Sequence, residues 1–248
     1  MFEILKESNM QDGRFGSALV TGNSSGLGLG LTRVLLEQGA QVRGMSRRGC
    51  PEAGISADER VDLNDFDATG AAMERLLEGV EALDLVVLNA GLLGHMQRMQ
   101  DASMDELRLL MDVNTFANKV ILDTLLKRNV QVGQIIAISS GASVSGHAGW
   151  SGYSLSKAAL NMMMQLYAHE FPDETAINAF APGLVDTAMQ DYLCDEADRE
   201  SFPVLQRLKA ARGTQDMPTP EDAARTILDV LPRLHHTTRG SFVDIRQL

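Results

Sequence analysis

Tyr153 and Lys157 are four residues apart in Tyr153-Ser154-Leu155-Ser156-Lys157. On a helix that spacing puts both side chains on one face. An ammonium beside a phenol favours the phenolate and lowers a pKa that is otherwise about 10. The pair could then donate and accept protons near neutral pH. The same spacing also fits a surface tyrosine stacked on a lysine stem. Ser140, thirteen residues upstream, supplies a hydroxyl that could join the pair at a reacting oxygen.

A second chemical signal lies near the N-terminus. Thr21-Gly22-Asn23-Ser24-Ser25-Gly26-Leu27-Gly28 joins an apolar run, Phe15 to Thr21, to a helical pattern, Gly26 to Gln38. Glycines there permit a tight turn and close backbone approach, and a helix start offers free N–H groups to a pyrophosphate. The spacing is Gly-x-x-x-Gly-x-Gly. The next strand, Gln41 to Ser46, ends at Ser46-Arg47-Arg48, where a site for NAD usually carries Asp or Glu. Guanidinium groups suit a 2′-phosphate, so the pair predicts preference for NADP(H), with NAD(H) the second option. A plain surface arginine pair is the alternative. Asp62 could accept from the adenine amino group with Leu63 beside it, or cap its own loop.

These residues need a scaffold, and the rest of the chain supplies its rhythm. Further strands are expected at Arg60–Leu63, Leu85–Leu88, Gln134–Ser139, Ala176–Ala181 and Gly240–Ile245. Helices are expected at Asp65–Gly79, Met104–Arg128, Tyr153–Glu170 and Glu221–Leu231. This alternation predicts an α/β Rossmann-type fold: a doubly wound, mostly parallel seven-stranded sheet with helices on both faces, three layers in all. The length, 248 residues, suits one such domain over residues 1–248. Residues 184–217 break the rhythm and read as a lid over a substrate, or as a packed helical insertion.

Composition narrows the classes. The net charge of −11 argues against nucleic acid as a partner. No apolar run reaches the roughly 20 residues of a membrane helix. Met1 to Gly16 has no apolar core and reads as neither signal peptide nor anchor. The two cysteines, Cys50 and Cys194, stand apart and read as free thiols of a cytoplasmic protein. No cluster has metal-ligand spacing, so no metal is expected.

Taken together, the motifs resemble the short-chain dehydrogenase/reductase family, in its shorter single-domain subgroup, from about Gly16 to Asp244. In order they are Thr21-Gly22-x-x-x-Gly26-x-Gly28, Asn89-Ala90-Gly91, Asn114, Ser140, Tyr153-x-x-x-Lys157 and Pro182-Gly183-x-Val185-x-Thr187. The resemblance implies that Tyr153 is the general acid/base and that Ser140 holds the substrate oxygen. Lys157 is implied to bind the nicotinamide ribose and to depress the Tyr153 pKa, and Asn114 to hold a water linking Lys157 to solvent. Pro182, Gly183, Val185 and Thr187 are implied to fix the nicotinamide, and Asn89, Ala90 and Gly91 to pass beneath the cofactor. His147, Trp150, Met189 and Tyr192 are the substrate candidates, although His147 also reads as an ordinary loop residue.

The implied activity is NADP(H)-dependent interconversion of a ketone or aldehyde and an alcohol, with reduction the expected direction. A non-catalytic NADP(H)-binding regulator, or an epimerase or dehydratase of the same fold, is the alternative. The ending Phe242-Val243-Asp244-Ile245-Arg246-Gln247-Leu248 departs from the Val-Asp-Gly-Gly-like stretch of many members. A homodimer or homotetramer is expected, with Met162-Met163-Met164 in the subunit contact or in the core.

Overall fold

A computed structural model describes residues 14–196 and 202–248. Its sheet has seven strands: β1 (Ser17–Thr21), β2 (Gln41–Ser46), β3 (Ala57–Arg60), β4 (Ala82–Leu88), β5 (Gln131–Ile138), β6 (Ala176–Ala181) and β7 (Phe242–Asp244). The order is β3-β2-β1-β4-β5-β6-β7. Every pairing is parallel.

Alternation along the strands explains the layers. Leu19, Val86 and Ile135 point to one side of the sheet, and their chain neighbours Val20, Val87 and Ile136 to the other. Both faces are apolar, as a sheet covered on both sides requires. On the first face lie α2 (Phe66–Leu76), α3 (Met104–Met111), α4 (Ala117–Lys127) and α5 (Ser151–Tyr167). They contribute Met73, Ile121 and Leu160 among others to that core. On the second face lie α1 (Gly26–Glu37) and α8 (Pro220–Val230), which contribute Leu31, Leu35, Ala224 and Ile227. The two helices touch closely at Gly30, where a Cβ would stand 2.4 Å from the Pro220 carbonyl oxygen. Local signals start several helices as expected. Asp65 accepts from the Ala68 N–H, Ser103 from Glu106 and Thr219 from Asp222.

Two expectations need correction. The third strand is Ala57–Arg60 and not Arg60–Leu63. It is the sheet's edge, partly exposed and carrying Asp58 and Glu59, so apolar content does not mark it. The expected helix Met104–Arg128 is interrupted by a π-helical turn, Asp112–Phe116, which contains Asn114. The expected parallel seven-stranded sheet with helices on both faces is what the chain forms.

Between β6 and α8 the chain forms α6 (Ala188–Asp191), a π-helical turn (Tyr192–Glu196) and α7 (Val204–Ala211). Leu193, Cys194, Phe202, Leu205 and Leu208 make a third, separate apolar cluster there. Among the described residues, no helix is long and apolar enough to cross a membrane.

Candidate active site

The parallel order reverses between β1 and β4, so the loops after these strands leave in opposite directions and open a crevice. One clasp holds its floor. The Thr21 hydroxyl accepts from the N–H groups of Asn89 (2.9 Å) and Ala90 (3.0 Å), and Asn89 Nδ2 donates to the Thr21 carbonyl (2.8 Å). Gly22 sits at φ +71, and a Cβ there would stand 2.9 Å from Ala90 Cα. A Cβ on Gly28 would stand 2.4 Å from Asn89 Nδ2. Both glycines are therefore sites of close approach.

A cavity of about 730 Å³ fills the crevice. At one end it is lined by Gly22, Ser24, Ser25, Gly26 and Leu27. Ser25 caps α1 in an extended conformation with no side-chain capping bond. Its hydroxyl accepts instead from Arg48 Nη2 at 2.7 Å. Asn23 and Gly28, expected beside the cofactor, lie beneath this end and do not line it. Asn23 is fully buried, with Nδ2 donating to Asp58 Oδ1 at 2.8 Å. Ser46, Arg47, Arg48, Asp62 and Leu63 line the adjoining wall. One Asp62 oxygen accepts from the Asn64 N–H, so this residue caps its loop as well as facing the cavity.

The middle and far end bring together residues from three loops and from α5. Asn89, Ala90, Gly91, Ser140, Tyr153, Lys157, Pro182, Gly183, Val185 and Thr187 all line the same cavity. A bond chain fixes the serine: Ser139 Oγ donates to Asn161 Oδ1, Asn161 Nδ2 to Ser143 Oγ, and Ser143 Oγ to the Ser140 carbonyl. The Ser140 hydroxyl favours the Tyr153 phenolate and so acts to lower its pKa.

Lys157 is 4% exposed, and its Nζ donates to the Ile138 carbonyl at 2.7 Å. Gly91 clears space beside it, since a Cβ there would stand 3.3 Å from Nζ.

Lys157 and Asn114, implied to work with Tyr153, both have partners within the protein. The Lys157 ammonium sits 5.9 Å from the Tyr153 ring centroid and donates to the Ile138 carbonyl. Burial of the hydroxyl in the cavity wall raises the phenol pKa, and the Ser140 hydrogen bond only partly opposes this. Burial likewise lowers Lys157 to about 8.

Asn114 does not line the cavity. Its side chain is used by the protein itself: Oδ1 accepts from Leu92 N–H (2.7 Å), and Nδ2 donates to the Leu92 carbonyl (2.8 Å) and Ser156 Oγ (2.9 Å). Its backbone carbonyl accepts from Asn118. Asn114 thus ties the loop after β4 to α5.

At the far end His147, Trp150 and Met189 face the cavity as expected. Tyr192 does not. Its hydroxyl accepts from the Met96 N–H at 3.2 Å, and its ring packs with the third apolar cluster. Sequence reasoning missed most of this wall: Leu92, Leu93, Leu109, Val113, Leu184, Leu193, Val204 and Leu208. Leu109 and Val113, four apart, carried a readable helical signal. Arg207 and Arg246 also line it and carried none.

Similarity to known proteins agrees with this geometry. The short chain dehydrogenase family model matches residues 17–198. An uncharacterized oxidoreductase of Schizosaccharomyces pombe is 31% identical over 238 residues, covering 91% of this chain and 94% of that protein. A benzil reductase ((S)-benzoin forming) of Bacillus subtilis is 28% identical over 240 residues, covering 92% of this chain and 98% of that protein. A solved short chain dehydrogenase from Burkholderia cenocepacia, in complex with NADP, is 24% identical. It superposes with a TM-score of 0.72 over 95% of this chain and 97% of its own.

The buried ammonium makes a stability prediction. Lys157 binds its proton less tightly folded than unfolded, so its cost is full below about pH 8 and disappears as pH rises through 10.5. Lys157→Met should therefore raise the melting temperature at pH 7 by an amount worth about 1–3 kcal/mol. The difference from the parent should shrink between pH 8 and 10. Thermal melts across that range check it, and a variant less stable than the parent at pH 7 contradicts it.

Proposed function

The chain belongs to the short-chain dehydrogenase family, and on that premise we propose that it reduces bulky, apolar ketones to alcohols with NADPH. It is an NAD(P)-dependent oxidoreductase of carbonyl and alcohol groups. The observation that carries the finer reading is convergence within one cavity. Ser140, Tyr153 and Lys157 meet at one end, and Arg47 and Arg48 flank a glycine-rich helix start at the other.

The residues fit a phosphorylated dinucleotide. The glycine loop has no side chain where the backbone must come close, and Gly26 at φ +55 leaves just enough room beside Thr187 Cγ2 (3.2 Å from a Cβ). Arg246 is neutralised by Asp244, and four other cationic side chains and one carboxylate line the cavity in a chain whose net charge is −11. That local reversal of sign attracts and holds an anion. The bound cofactor supplies the hydride.

The chain's own residues manage the oxygen. Ser140 and Tyr153 place two hydroxyls where charge develops on the carbonyl oxygen. The raised Tyr153 pKa keeps the phenol protonated at neutral pH, the state a general acid for reduction needs. Lys157, held by Ile138, presents its remaining protons to the ribose region. Leucine, valine, methionine and tryptophan walls favour a bulky apolar substrate. Met189, Leu193, Val204 and Leu208, from the stretch between β6 and α8, line this end. The benzil reductase activity of the Bacillus subtilis relative supports an aryl ketone.

A second copy of the chain is the proposed partner. Leu155, Met162 and Leu166 project from one face of α5 at 49, 54 and 57% exposure. Spacings of seven and four make them one stripe. The methionine run splits between roles, for Met164 is fully buried and Met163 packs on the core while Met162 is exposed.

Tyr153→Phe should cut turnover by about a thousandfold or more with NADPH affinity kept, read by steady-state assay and fluorescence titration. Near-normal turnover would refute the acid role. Arg47→Ala should weaken NADPH by about 10- to 100-fold and NADH by less than about threefold. Equal losses would remove the 2′-phosphate assignment. Leu166→Glu should shift the mass found by light scattering from dimer to monomer, and a parent that is already monomeric rejects the partner.

A further inference from the structure

We propose that Arg246 is a specificity residue that selects ketones bearing a second, uncharged oxygen next to the reacting carbonyl, the vicinal diketone class. The inference rests on the ketone-reductase reading above.

The geometry begins at the C-terminal end of β7. Asp244 is 5% exposed, and its Oδ1 accepts from the Arg246 backbone N–H at 3.0 Å, closing the turn Ile245–Gln247. The same carboxylate then takes the side chain. Arg246 Nε donates to Oδ1 at 2.9 Å and Nη2 to Oδ2 at 2.5 Å. A planar guanidinium held along one edge has its other edge fixed in direction. Nη1 has no partner among the described residues, and the side chain lines the cavity.

Its neighbours place it at the reacting end. A Cβ on Gly141 would stand 3.3 Å from Arg246 Nη2, so the guanidinium lies over the residue that follows Ser140. A Cβ on Gly183 would stand 3.5 Å from Ile245 Cγ2, so the same turn also braces the loop after β6. Arg246 is thus set between the serine loop and the Pro182–Gly183 loop. A ketone whose reacting oxygen meets Ser140 and Tyr153 brings its next substituent toward this donor edge.

Charge decides which oxygen. The hydrogen bonds from Arg246 hold the Asp244 carboxyl below the usual range, so both partners are ionised and their charges cancel locally. A neutral carbonyl gains a charge-assisted hydrogen bond at such a site. A free carboxylate would also meet the field of Asp244. The Arg246 side chain is 59% exposed, so its free edge is open to an entering substrate, and the apolar residues elsewhere in the cavity wall leave it one of few donors there. The reaction itself is unchanged: hydride and proton add across one C=O, and the second carbonyl is only held. The product is a hydroxyketone.

The test compares 1-phenylpropane-1,2-dione with 1-phenylpropan-1-one, in the parent and in Arg246→Ala and Arg246→Gln. Two measurements are made: NADPH-dependent kcat/KM, and the shift in melting temperature that each compound causes with NADP+ present. Both variants should lose about 10- to 100-fold in kcat/KM on the diketone and less than about threefold on the monoketone. The diketone-induced shift should disappear while the NADPH dissociation constant stays within about twofold.

Equal losses on the two ketones would overturn the assignment, as would an NADPH affinity that falls with them, which would make Arg246 a cofactor contact. A parent that gains the diketone shift but reduces neither ketone would sink the reductase reading, with the Arg246 assignment still decided by whether the variants lose the shift.

Discussion

The clasp between Thr21 and Asn89-Ala90 is the constraint from which the site follows. A parallel sheet whose order reverses between β1 and β4 opens a crevice, but topology alone does not set its shape. Three short hydrogen bonds fix the two diverging loops against each other. Gly22 and Gly28 exist at this contact because any side chain would push the loops apart. With the floor fixed, the start of α1 faces the cavity on one side. The Ser140 and Tyr153 hydroxyls face it on the other.

Lys157 shows what the arrangement costs. An ammonium taken out of water is unfavourable, and one backbone carbonyl offsets only part of that cost. The protein tolerates it because the core around it is extensive on both faces of the sheet. In the protein without ligand, burial dominates both groups, raising one pKa and lowering the other. Both shifts favour the uncharged forms, and an anionic cofactor is the natural counterweight for the lysine.

Legibility followed chain distance. The phosphate loop, the Tyr153–Lys157 pair and Arg47-Arg48 are local patterns, and the structure brings nearly all of them to one cavity. Signals that depend on a distant partner were silent. Nothing near Arg246 announces that it lies over Gly141. Tyr192 read as a substrate contact because it is an aromatic in a lid, yet its hydroxyl meets a backbone group 96 residues earlier in the chain. Asn114 reads as a water holder, and the amide's three bonds to Leu92 and Ser156 depend on partners 22 and 42 residues away. β3 was misplaced because an edge strand need not be apolar.

Glu106 carries the same lesson into the substrate wall. Ser103-x-x-Glu106 has the form of a capping box, in which the glutamate returns to the Ser103 N–H. Here the serine caps as expected, but the carboxylate turns outward. Oε1 accepts from the His95 N–H at 2.6 Å and contacts His95 Nδ1, and Oε2 accepts from Gln97 Nε2 at 2.5 Å. Burial pushes this carboxyl up, and the hydrogen bonds outweigh it. The segment carrying Leu92 and Leu93 is therefore held by Asn114, Glu106 and Tyr192, together with the Gly149 carbonyl, which accepts from the Gln97 N–H. These anchors come from three separate parts of the chain. The cofactor end instead rests largely on contiguous motifs. Substitutions in the distant anchors can reshape the substrate wall while leaving the dinucleotide cradle alone. That separation is how one scaffold keeps its cofactor while its substrate changes.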